Sequence, residues 1–203
     1  MTQKEYIVKV WPFYMRLEKD FIEALNYVEF SEDNYATYSV EFERLLLSIC
    51  SEIDVLCKLL CREIDPAQSP SKFFDYAAIL CGFNDFTSSK VYFEKTGIEV
   101  TPFFTMTPQN SPSWWQAYNK VKHTRTENKN YKKGNLENVF MSLSALYILN
   151  RFYCKMISTS RLNNEPNPRS QIFNMVGWQI NIPVGNGFFQ VLYPNGSMGL
   201  IHE

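Results

Sequence analysis

The chain holds two histidines, His123 and His202, and a proton shuttle working near neutral pH in a fixed framework points first to His123. Its neighbourhood reads Trp114-Trp115-Gln116-Ala117-Tyr118-Asn119-Lys120-Val121-Lys122-His123-Thr124-Arg125. On a helix, Trp115, Asn119 and His123 fall at i, i+4 and i+8 along one face. An asparagine one turn before a histidine can orient the imidazole or bind a phosphate oxygen. Lys120, Lys122, Arg125 and Lys129 surround the pair with groups able to contact phosphates, a grip that would weaken with salt. Each feature also has a plainer role. Trp114, Tyr118 and Val121 recur at i, i+4 and i+7 as a core stripe does. His123 can hydrogen-bond a buried carbonyl, or Glu52 or Asp54 on a neighbouring helix. Arg125 can serve an ion pair, and Lys129–Lys133 a solvated loop.

Other site signatures are missing from the sequence. There is no GxxxxGK phosphate loop, no dinucleotide fingerprint and no HExxH. Asn195-Gly196-Ser197-Met198-Gly199 departs from the GxSxG spacing by one residue. Cys50, Cys57 and Cys61 lie on one helical face and could meet a soft metal. No Cys or His at finger spacing completes such a site, so core packing is the stronger reading and no metal or other cofactor is expected. Five cysteines without paired spacing argue against a disulfide framework.

Proline and glycine mark where helices can run to position these residues. Neither occurs from Phe13 to Asp65, and only Gly134 interrupts Ser113 to Glu165. The pattern predicts a helix over 12–29, and a long one over 34–64 with Tyr38, Phe42, Leu45, Ile49, Ile53, Leu56 and Leu60 on its core face. It predicts a shorter helix over 71–80, and a helix over 114–125 capped by Ser113. A last helix over 136–158 buries Leu136, Phe140, Leu143, Tyr147 and Met156. The long helix and the last one should form the centre of the core. Residues 83–111 read as an irregular insertion with short strands at 91–93 and 98–104. A linker-like stretch, 161–171, precedes a segment from Ser170 to Ile201 with no Asp, Glu, Lys or Arg and five of the eight glycines. Turn signals at Gly185-Asn186-Gly187 and Asn195-Gly196 predict a small antiparallel β unit there, its apolar side covered by the bundle or by a second chain.

The segment YNKVKHTR, the loop after it and the helix NLENVFMSLSALYIL resemble the HEPN superfamily. That resemblance implies a mainly α fold: an antiparallel helical bundle over 1–160, with the insertion at 83–111, followed over 161–203 by a linker and a short β-hairpin or meander. It also implies metal-independent endoribonuclease chemistry in prokaryotic defence or toxin systems, and frequent dimers. Asn119 matches the polar residue of the superfamily's motif and His123 its histidine. Tyr118 stands where the motif carries arginine, and no arginine occupies the seven residues before His123. Lys122 or Arg125 would then have to stabilise charge at phosphorus.

Net charge is −1, so no global field draws in nucleic acid or a membrane. The distribution is uneven: residues 1–63 carry twelve acids and seven bases, whereas residues 112–133 carry six bases and the single acid Glu127. No secretion signal or membrane-spanning run is read. The expectation is a cytoplasmic protein with an RNA-related role and a homodimeric or other protein partner. The alternative is a non-catalytic homo-oligomeric scaffold or interaction module of the same fold.

Overall fold

The computed structural model describes residues 1–203. Six α-helices and two three-stranded antiparallel sheets make up the chain, which is mainly α with strands toward its end. The helices are α1 (Gln3–Lys9), α2 (Trp11–Ala24), α3 (Val40–Ile64), α4 (Phe73–Leu80), α5 (Ser113–Thr124) and α6 (Leu136–Ile157). None is long and apolar enough to cross a membrane.

The centre of the core is α3 against α6, as the two apolar faces predict. Phe42, Leu45, Ile49, Ile53, Leu56 and Leu60 are all buried, and so are Leu136, Phe140, Leu143 and Tyr147, whereas Met156, in the last turn of α6, is exposed. Capping chemistry sets the helix starts. Ser39 accepts from the Phe42 amide and begins α3, five residues after the expected Asn34, which instead closes a short 3-10 turn. Tyr38 therefore lies outside the helix and pairs with Asn135 across an isolated bridge. Asn135 accepts from the Asn138 amide and begins α6. Ser113 forms no cap: Pro112 occupies that position and Ser113 is the first helical residue. α1 was not expected. Thr2 and Glu5 form a reciprocal capping box that starts it, and α2 then ends at Ala24 rather than Glu29.

Within the insertion, β1 (Val91–Phe93) pairs with β2 (Ile98–Val100). On its other edge β1 takes β3 (Phe173–Met175), in the register Val91 to Met175. Phe173 is fully buried against Phe93, Phe140 and Tyr147, so this strand belongs to the main core. Glu18 anchors its approach: the buried carboxylate accepts from Tyr14 Oη at 2.6 Å, from the Gln171 amide at 2.8 Å and from Ser170 Oγ. Beyond it, β4 (Ile180–Gly185), β5 (Phe188–Leu192) and β6 (Met198–His202) form the second sheet, in that order. Phe189 and Val191 face inward onto Leu162, a small cluster separate from the main core. On the outer face Met198, Leu200 and Phe188 remain 70%, 66% and 40% exposed.

Candidate nucleic-acid interface

α5 buries one face and exposes the other. Trp114, Trp115, Ala117, Tyr118 and Val121 are buried. Trp114 Nε1 donates to the Pro102 carbonyl at 2.8 Å, and Trp115 packs on Phe73 with ring centroids 4.7 Å apart. The aromatic stripe is therefore core, and its rings are held by the insertion and α4.

The Asn119 and His123 positions climb out of that core. Asn119 is half-buried in the lining of a groove of about 540 Å3 between α3, α4 and α5, with Asp54, Lys72, Phe74 and Lys122. His123, one turn on, is exposed and lies outside that lining. Its ring forms no hydrogen bond or ion pair. Neither acid considered for it is engaged with it. Asp54 takes Tyr76 Oη at 2.6 Å and Lys58 Nζ at 2.5 Å, and Glu52, whose carboxyl partial burial pushes up, has no His123 contact. Burial and the adjacent Asp54 hold the Tyr76 hydroxyl well above its ordinary pKa, so it stays a donor.

The four candidate phosphate contacts are all exposed but point to different sides. Lys122 lies over the Tyr118 ring, 5.3 Å from its centroid, on the groove side. Lys120 borders a separate depression with Lys133, Asn135 and Asn138. Arg125 sits 3.8 Å from the Glu43 carboxylate. Lys129 adopts a left-handed backbone, φ 57°, at the start of the 3-10 turn Asn130–Lys133. Asn130 Nδ2 donates to Thr124 Oγ1 at 2.9 Å, and the Tyr131 amide to the Arg125 carbonyl at 3.0 Å, which folds this basic loop back on α5. Lys132 rests over Tyr38, whose ring meets Tyr131 edge-on. Among Lys120, Lys122, Lys129, Lys132 and Lys133 there is no ion pair.

Cys50, Cys57 and Cys61 are buried in the α3 face and no trio of His, Cys, Asp or Glu side chains clusters as a metal set. Sequence reasoning missed a buried ionic cluster. Arg151, on α6, donates to Glu165 Oε1 at 2.6 Å and to Tyr147 Oη at 3.1 Å, and Arg169 Nε lies 3.3 Å from the same carboxylate oxygen. The signal was present: Arg151 is the lone charged residue between Glu137 and Lys155, and Glu165 the lone acid between Glu137 and Glu203. A lone charge in an apolar helix must find its partner elsewhere. No family model, curated protein or solved structure matches this chain.

Proposed function

We propose that this chain is a HEPN-like helical protein that binds RNA along the cationic edge formed by α5 and the loop 125–133. One observation carries the reading: five lysines of α5 and the loop that follows it, Lys120, Lys122, Lys129, Lys132 and Lys133, are exposed and have no carboxylate partner. Unpaired cations attract a polyanion through counterion release. His123 stands on the same edge with both ring nitrogens free of protein partners, so it is the group available to take the proton from a ribose 2′-hydroxyl. The 2′ oxygen would then attack phosphorus and the 5′ oxygen would leave. Lys122 would balance charge at phosphorus, and Asn119 would position substrate. A second copy related by a two-fold axis would supply a second histidine to protonate the leaving oxygen.

The test is anisotropy of a labelled single-stranded RNA with the full chain across a salt series, followed by gels of the same RNA with and without EDTA. The expected result is binding that weakens steeply with salt, is reduced in K122A/K129A, and is accompanied by EDTA-insensitive cleavage that H123A abolishes. Absence of binding at low salt rejects the proposal. RNA bound but left intact supports the non-catalytic member of the same fold. That second reading also draws on the apolar outer face of the β4–β5–β6 sheet, and light scattering of the free chain tests it as a homo-oligomeric scaffold.

A further inference from the structure

A second cleft, of about 620 Å3, opens between α1, the connector 161–171 and β4, and shares no lining residue with the α5 groove. Its volume falls within the range of roughly 300–1,000 Å3 usual for small-molecule sites. Glu165 lines it with a side chain 7% exposed. One carboxylate oxygen is engaged by Arg151, while Oε2 is buried and meets no donor. Arg169 lines the same cleft; its Nη2 donates to Asn174 Oδ1, and its Nε lies 3.3 Å from Glu165 Oε1 without reaching hydrogen-bond geometry. Lys4, at the rim on α1, is exposed and has no ion-pair partner. Two cations of the cleft, Lys4 and Arg169, therefore stand against one carboxylate, which Arg151 already engages from behind the lining.

Two chemical demands follow. A buried acceptor without a donor carries a desolvation cost that a ligand hydroxyl would relieve. The excess of positive charge at the mouth favours an anion, and guanidinium and ammonium groups bind phosphate or carboxylate through charge-assisted hydrogen bonds. We propose that this cleft binds a small organic anion bearing hydroxyl groups, the chemistry of a phosphorylated sugar. Its anionic group sits between Lys4 and Arg169, and one hydroxyl donates to Glu165 Oε2.

Isothermal titration of the full chain with ribose 5-phosphate, inorganic phosphate and ribose tests the assignment. Ribose 5-phosphate should bind roughly tenfold more tightly than inorganic phosphate, the value of one added hydrogen bond to a charged group. Ribose alone should give no heat. K4A removes an exposed side chain with no partner in the fold, so its melting temperature should be unchanged while the ribose 5-phosphate affinity falls. K122A, on the RNA edge, should leave that affinity untouched, which separates this site from the proposed RNA function. No binding of ribose 5-phosphate, equal affinity for it and inorganic phosphate, or an affinity unmoved by K4A would each overturn the proposal.

Discussion

Arg151 and Glu165 tie the connector to α6 through a buried charge-assisted hydrogen bond of 2.6 Å. Their side chains are 2% and 7% exposed, so neither charge can turn to water if the other is lost. Glu165→Ala should destabilise the chain by about 3–5 kcal/mol, because it strands a buried guanidinium. Arg169→Ala should cost under about 1 kcal/mol, since that side chain is partly solvated and screened. Urea denaturation followed by circular dichroism measures both, and equal effects of the two changes would contradict the burial argument.

The long-range part of this arrangement explains what the sequence could and could not reveal. α3 and α6 were legible because 3.6-residue periodicity is a local property and each helix is long enough to repeat it many times. The exposed position of His123 was not legible in this way: the same periodicity groups it on one face with Trp115, which is buried, so spacing alone left a buried partner for the imidazole open. β3 was not legible: three residues carry almost no periodic signal, and their partner β1 lies some eighty positions earlier in the chain. The cleft beside Glu165 is assembled from α1, the connector and β4, so no single window contains it.

Gly134 shows how a close approach shapes the candidate RNA edge. A Cβ there would meet Glu43 Cγ at 2.4 Å and its Cα at 2.7 Å. Its φ of −75° suits any residue, so the requirement is space alone. Gly134→Ala should destabilise by about 1–3 kcal/mol as the basic loop is pushed off α3. The same change should weaken RNA binding, because Lys129–Lys133 would lose its seat. A thermal melt and the anisotropy titration check both effects.

The cysteines should be chemically quiet in the native state. Burial pushes the Cys61 thiol up to about 12 and the Cys154 thiol up to about 11, and it raises Cys50 and Cys57 well above the ordinary range. Thiolate is the reactive form, so a raised pKa keeps each protonated at pH 8. Cys81 is the one cysteine with partial exposure, and burial raises it as well. Titration with a chromogenic disulfide at pH 8 should therefore label at most Cys81 on the native protein and all five thiols after denaturation. Fast labelling of two or more in the native state would show that α3 opens to solvent.

Two truncations should separate the two roles of the C-terminal strands. Removing residues 170–203 takes out β3, and with it Phe173 from the centre of the aromatic cluster and the Ser170 and Gln171 donors from the buried Glu18. Loss of a buried Phe alone costs about 3–5 kcal/mol, so the melting temperature should fall by on the order of 10 °C or more. Removing only residues 179–203 takes out the β4–β5–β6 sheet, whose inward residues Phe189 and Val191 pack on Leu162 outside the main core. Trp178 stays, with Phe152 and the Lys155 ammonium against its ring. This shorter deletion should leave the main transition within a few degrees of the full chain. It should also remove the exposed Met198 and Leu200, so any self-association seen by light scattering in the full chain should diminish. Equal losses of melting temperature in the two truncations would mean that the second sheet is as much a part of the cooperative core as β3, and that its small cluster is not a separate unit.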